Sequence, residues 1–331
     1  MPHPSARQSS PRANGHRIGP GLTNGHATGE GLSPEAGREA PGGDTSPVPN
    51  QPLLHLDQLW VQVAGTVCNL SCTHCFVSAG PHEGRHAMMS REDVAARVAE
   101  ALAMGVREIY LTGGEPFLNP SLEDIVQDTL ALAPVTILTN GTLFTPHRVR
   151  WLAATTRSSR HSLELRVSLD GTDARSHDAF RGAGSWRRTM DGLRALEAAG
   201  LLPIVTLTRP AHVDASELAA RARAALAAEG VPASRLKLLP MFTLGREAGR
   251  PGHAPPLPTL AALPAEAFDP NRLQCGTCRA VTSRGVFVCP LLVDEHGGRM
   301  GDTLAESARA FPLAHEACST CWVTGMTCAN D

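Results

Sequence analysis

The stretch Val67-Cys-Asn-Leu-Ser-Cys-Thr-His-Cys-Phe76 carries three cysteines, Cys68, Cys72 and Cys75, on one short loop. A Cys-x3-Cys-x2-Cys loop can bring three thiolates around one face of a cuboidal iron–sulfur cluster. A 4Fe–4S cube has four irons and normally takes four cysteines, so three ligands leave one iron open to bind and activate something. Two other readings stand beside this one. Structural zinc wants four closed nitrogen or sulfur ligands, and His74, the nearest fourth, is pinned beside Cys75 and points the other way in an extended loop. A disulfide with a spare thiol belongs to an oxidising compartment.

From Leu53 onward the chain alternates between strand and helix patterns. Leu59–Val63 reads as a first strand that delivers the cysteine loop at its C-terminal end. Ser90-Arg-Glu-Asp93 is a capping box, and Val94, Val98 and Leu102 form the apolar stripe of the helix it starts, which Gly105 closes. Further strands are expected at 107–111, 135–138, 163–169, 203–208 and 236–239. Helices are expected after Ser121, from Ser185 to Ala199 and from Asp214 to Glu229. Parallel strands joined by right-handed helical crossovers follow from that order. The fold class expected is α/β, a partial (β/α)6 TIM-type barrel followed by a small cysteine-rich iron–sulfur domain, with chemistry at the C-terminal strand ends.

Short motifs fall at those ends: Leu111-Thr-Gly-Gly-Glu-Pro116, Thr139-Asn-Gly-Thr142 and Val167-Ser-Leu-Asp-Gly171. With the cysteine triplet, and in this order, they resemble the radical S-adenosylmethionine enzymes over roughly residues 55–245. The resemblance implies that the open iron chelates the amino and carboxylate groups of S-adenosylmethionine. It assigns Gly113, Gly114 and Glu115 to the methionyl amino group, and Ser168 and Asp170 to the ribose hydroxyls or the methionine end. Arg181, in Ala179-Phe-Arg-Gly182, would pair with the cofactor carboxylate. Asn140 is a further cofactor candidate that a turn-forming Asn-Gly explains equally well. Phe76 would shield the cluster and His74 would stack on the adenine. Thr206 and Thr208 read as ordinary β-branched strand residues. An external electron donor such as flavodoxin or ferredoxin is implied as well.

The other six cysteines, Cys275, Cys278, Cys289, Cys318, Cys321 and Cys328, occupy the last part of the sequence. Their pattern resembles the auxiliary-cluster domains called SPASM and twitch, with Gly285–Cys289 as the hairpin and Cys318-x2-Cys321-x6-Cys328 as the closing run. The resemblance implies one or two auxiliary 4Fe–4S clusters. A full two-cluster domain has seven or more cysteines in this part, against six here. The spacing Cys275-x2-Cys278-x10-Cys289 is also similar to the second site of the molybdenum-cofactor cyclising enzymes, and two Cys-x2-Cys pairs could hold zinc.

Thirty basic and thirty-two acidic residues give a net charge of −2, so no charged field points to nucleic acid or to an anionic membrane. No apolar run approaches the ~18 residues of a membrane span, and the N-terminus lacks a secretion-signal pattern. Nine cysteines in such a chain imply a reducing, cytoplasmic setting. The expected organisation is a disordered Pro/Gly-rich tail over 1–52, a core barrel over 53–243, a linker or covering loop over 244–271 and an auxiliary-cluster domain over 272–331. The expected function is hydrogen abstraction from a peptide or small-molecule substrate, leading to oxidation, cross-linking or epimerisation. A cofactor-biosynthesis cyclase and a non-catalytic iron–sulfur or zinc redox sensor are the alternatives.

Overall fold

Alternation along the strands divides the molecule into an outer and an inner core. Leu163, Leu165, Val167 and Leu169 belong to the main apolar cluster, together with Leu59, Val61, Ile109 and Leu111 from neighbouring strands. Residues of the opposite parity, Trp60 and Tyr110, join a second cluster with Cys68, Cys72, Cys278 and Ala280. A period of two places successive side chains on opposite faces, so one sheet supports both sets.

The computed structural model describes residues 48–253, 255, 257–263 and 267–325. The elements in chain order are β1 (Asn50–Gln51), β2 (Gln58–Val61), α1 (Arg91–Ala103), β3 (Glu108–Leu111), α2 (Leu122–Leu130), β4 (Val135–Thr139), α3 (Pro146–Ser158), β5 (Leu163–Leu169), α4 (Ala174–Arg181), α5 (Ser185–Ala198), β6 (Ile204–Arg209), α6 (Ala215–Ala228), β7 (Arg235–Pro240), β8 (Cys278–Thr282), β9 (Gly285–Phe287), β10 (Arg299–Gly301), β11 (Phe311–Pro312) and α7 (Glu316–Thr324). Strands β2 to β7 lie side by side in sequence order and pair in parallel, the six-stranded half-barrel expected.

The capping box at Ser90 forms, with the Ser90 side chain accepting from the Asp93 N–H. Ser121 makes no such bond at the start of α2. Asn119 takes that part, its Oδ1 accepting from the Ser121 N–H at 2.9 Å while its Nδ2 donates to the Val63 and Met89 carbonyls. Helix α3 starts from a Thr145 cap followed by Pro146, and α4 from an Asp173 cap; neither was expected from apolar periodicity.

The cysteine-rich region continues the barrel sheet. Strand β8 pairs in parallel with β2, Cys278 lying opposite Gln58 and Val281 opposite Val61. The hairpin β8–β9 and the strand β10 extend the sheet beyond it. Asn50 and Gln51, which fall within the stretch expected as a tail, are placed in the structure. They pair with Pro312 and Phe311, and the Gln51 side chain, 1% exposed, donates to the Pro52 and Pro270 carbonyls. Residues 1–47 of that tail and Cys328 lie outside the described residues. No helix among the described residues is long and apolar enough to cross a membrane.

Gln51→Ala removes a buried donor and leaves the Pro270 carbonyl without it. It should cost about 1–3 kcal/mol, read as a lower denaturant midpoint at unchanged slope.

Candidate active site at the C-terminal ends of the strands

The cysteine loop leaves β2 and is fixed by the loop that leaves β3. Gly114 N–H donates to the Gly65 carbonyl at 2.8 Å and Glu115 N–H to the Val67 carbonyl at 3.0 Å. A Cβ on Gly114 would overlap the Val67 carbonyl oxygen and crowd Cys68. The glycine expected to admit a ligand is therefore required first for this loop-on-loop contact. Backbone N–H groups also point at sulfur, from Leu70 to Cys68 Sγ at 3.4 Å and from Ala79 to Cys75 Sγ at 3.3 Å.

Cys68, Cys72, Cys75, Gly113, Gly114, Asn140, Ser168 and Arg181 line one cavity of about 220 Å³. Phe76, Thr206 and Thr208 line it as well, so the two threonines read as plain strand residues also face the site. Burial pushes the Cys68 thiol up to about 12 and raises Cys72, whose shift the Arg181 and Arg246 guanidiniums oppose. Thiolates this buried need a cation, and bound iron supplies one, displacing the thiol proton. Among the described residues no three His, Cys, Asp or Glu side chains converge as ligands of one metal ion. Three thiols that line one cavity could each take their own iron of a polynuclear centre.

Glu115 and Asp170 were expected to contact the cofactor; neither lines the cavity. Glu115 is fully buried, with Oε1 accepting from the Phe117 N–H and the Thr139 hydroxyl and Oε2 from the Asn140 N–H at 2.8 Å. Burial raises its pKa, an effect these donors oppose. Asn140 forms the expected Asn-Gly turn and reaches further, its Nδ2 donating to Asn69 Oδ1 at 2.9 Å and lying 3.8 Å from Cys68 Sγ. Glu115 thus joins the Thr139–Thr142 loop to the Leu111–Pro116 loop.

Asp170 Oδ2 lies 2.5 Å from Arg181 Nε and 3.0 Å from His74 Nε2. Burial alone would raise this carboxyl, but Arg181 and then His74 outweigh it and hold it well below the usual range. Arg181, expected to face a cofactor carboxylate, spends Nε on Asp170 and still lines the cavity. His74 also packs edge-on to Phe180, with ring centroids 5.1 Å apart. Behind the pair, His177 Nδ1 accepts from the Asp170 N–H at 3.1 Å.

Residues 244–250, expected as a linker or covering loop, grip the cysteine loop. Arg246 donates from Nε to the Cys72 carbonyl at 2.7 Å, from Nη2 to the Ala79 carbonyl, and from its backbone to the Cys75 carbonyl at 3.1 Å. Gly245 has φ +52 and lies so close that a Cβ would overlap the Phe76 and Cys75 carbonyls. Composition marked this stretch as irregular; nothing in its pattern marked its partner.

A second cavity lies beside the first, with Pro290 and Leu291 lining both. Cys275, Cys278, Cys289, Cys318 and Cys321 face it. Burial raises all of Cys275, Cys289 and Cys318, the last to about 12. Beneath it Arg279 is fully buried and donates to the carbonyls of Cys275, Cys278 and Ser307. Among the described residues no carboxylate pairs with this guanidinium. An anionic thiolate centre above it would supply the missing charge.

Two outcomes follow. Arg246→Ala should leave the strands folded but loosen the cysteine loop, so that a chelator strips iron from reconstituted protein several-fold faster than from wild type. His177 is pushed down to about 4, first by burial and then by Arg181, against an unfolded value of about 6.5. The unfolded chain therefore takes up the proton first, and stability falls as pH drops from about 6.5 towards 4. Relative to His177→Asn, wild type should lose about 3 kcal/mol over that window, measured by denaturant unfolding at each pH.

Residues 63–212 match the family model for the Radical SAM superfamily. An AdoMet-dependent heme synthase of Methanosarcina barkeri is 34% identical over 142 residues, 42% of this chain and 38% of that protein. A GTP 3',8-cyclase of Tolumonas auensis is 29% identical over 140 residues, 41% and 40% of the two chains. The mycofactocin maturase MftC of Mycobacterium tuberculosis is 33% identical over 147 residues, 43% and 36%. The chain thus spans about two-fifths of the length of these curated relatives. The domain at 63–212 is thus similar to the Radical SAM superfamily, whose members use a 4Fe–4S cluster and S-adenosylmethionine.

Proposed function

We propose that this chain cleaves S-adenosylmethionine reductively and abstracts a hydrogen atom from a peptide or small-metabolite substrate. An auxiliary iron–sulfur cluster would assist oxidation, cross-linking or epimerisation. The observation that carries the reading is the cavity on which three thiols, the Gly113–Gly114 loop, Asn140, Ser168 and Arg181 meet at the C-terminal strand ends. When bound there, the cluster and S-adenosylmethionine would supply one chemistry, one-electron cleavage of the sulfur–C5′ bond fed by an external donor such as flavodoxin or ferredoxin, to drive hydrogen abstraction from the substrate.

The protein's own groups provide position and dryness. Cys68, Cys72 and Cys75 would ligate three irons, and the Arg246 clamp would keep their carbonyls and sulfurs in place. Ser168 and the exposed edge of Arg181 would meet the polar parts of S-adenosylmethionine, with Asp170 and His74 setting the Arg181 guanidinium. Glu115 would act indirectly, by joining two loops that face the cofactor. Phe76, 37% exposed, would cover the cluster from solvent. Five cysteines on one second cavity favour a single auxiliary cluster over two.

Anaerobically reconstituted, dithionite-reduced protein should release 5′-deoxyadenosine from S-adenosylmethionine, and changing Cys68, Cys72 and Cys75 together to Ala should abolish this. That triple variant should keep a brown absorbance and about four irons per chain through the second site. Persistent 5′-deoxyadenosine would remove the assignment of the triplet. A colourless variant containing zinc would make the second site structural.

A further inference from the structure

The turn that follows the cysteine triplet is strained, and the strain serves one sulfur. Ser78 is the one non-glycine residue with a positive φ among the described residues, at +47. A side chain disfavours that left-handed region, so such a residue persists only where its surroundings hold it. The Ser78 N–H donates to the Cys75 carbonyl at 3.0 Å, and the next N–H, that of Ala79, donates to Cys75 Sγ at 3.3 Å.

Arg85 holds this turn from the loop 83–87. Its Nη2 donates to the Val77 carbonyl at 2.8 Å and to the Ser78 carbonyl at 3.3 Å, the two peptide units that flank Ser78. The Ser78 carbonyl and the Ala79 N–H share one planar trans peptide, so they point in opposite directions. Fixing the carbonyl on Arg85 therefore aims the N–H at the Cys75 sulfur.

The groups that fix Arg85 in turn come from far along the chain. Asp294 Oδ2 lies 3.4 Å from Arg85 Nη2, and its Oδ1 lies 2.6 Å from His86 Nε2. Glu83, 3.5 Å from Arg85 Nε, is the other anion on this guanidinium. His86 is 1% exposed and packs edge-on to Phe287, and the Ala87 N–H donates to Ser283 Oγ at 2.9 Å. Asp294 also closes a segment that begins at Cys289 of the second cavity. Within it Val293 belongs to the same apolar cluster as Cys72, Val77 and Ala79.

On the reading above that the triplet holds an iron–sulfur cluster, we propose that Arg85 and Asp294 are positioning residues for its Cys75 ligand. Asp294 sets the guanidinium, Arg85 sets the peptide after Ser78, and that peptide gives its N–H to the sulfur. Hydrogen bonds to sulfur help to set a cluster's reduction potential. A donor favours the more negative, reduced state and so raises the potential. Through Asp294 the cysteine-rich region thus helps to set how readily the first site takes an electron.

Hydrogen–deuterium exchange on the metal-free full chain reads the positioning directly. Arg85→Ala removes a side chain that is 43% exposed, so the core stays closed. Asp294→Asn keeps an acceptor for His86 and removes the charge beside Arg85. In each, the peptide over 76–80 should exchange several-fold faster than in wild type, with β3 to β5 unchanged. After reconstitution, each should show a first-cluster midpoint potential more negative than that of wild type. The signal to follow is the one that the Cys68, Cys72 and Cys75 triple variant lacks. Unchanged exchange over 76–80 in either folded variant, or an unchanged potential where exchange is faster, overturns the proposal. A triplet that binds no iron would count against the cluster reading, and the exchange result would still decide the positioning.

Discussion

The buried ion pair between Asp170 and Arg181 is the contact on which the site's geometry rests. Asp170 follows β5, Arg181 ends α4, and His74 brings the cysteine loop to the same carboxylate. The Thr73 N–H, donating to the Phe180 carbonyl at 2.8 Å, fastens the same loop to the same helix end. Removing one member would strand a charge in a buried setting, which costs several times what an exposed pair is worth. The pair therefore specifies position. It also keeps a cation beside Cys72 and Cys75, where negative sulfur would gather.

Much of the fold was legible because its signals were local. The six parallel strands are runs of alternating or continuous apolar residues, and the helix at Ser90 announces itself by a capping box. The motif loops are short and follow strands, so their convergence needed only the barrel rule. The same logic located the cavity's thiols, Ser168 and Arg181. Helices α3 and α4 escaped the sequence reading: α4 has two turns and buries His177 alone of its residues, while α3 buries Val149, Leu152 and Ala153 behind the Thr145 cap.

What the sequence did not disclose is how the loops hold one another. Glu115 and Asp170 carry the right chemistry for a cofactor contact, yet each spends its oxygens on the protein. Only knowledge of Thr139, Asn140, Arg181 and His74 as neighbours separates a ligand-binding carboxylate from one that braces a loop. Arg246 is the same case at longer range, since its partners Cys72 and Ala79 belong to the opposite end of the barrel chain.

The pairing of β8 with β2 has a kinetic side. Strand β2 is the first of the barrel to be synthesised, and one of its edges has no partner until Cys278–Thr282 has followed all the other parallel strands. A nascent barrel therefore carries an open, apolar sheet edge through most of its making, the kind of template on which strands from other chains add. Closure of that edge and completion of the second cysteine cavity are one event, because Cys278 lies within the closing strand.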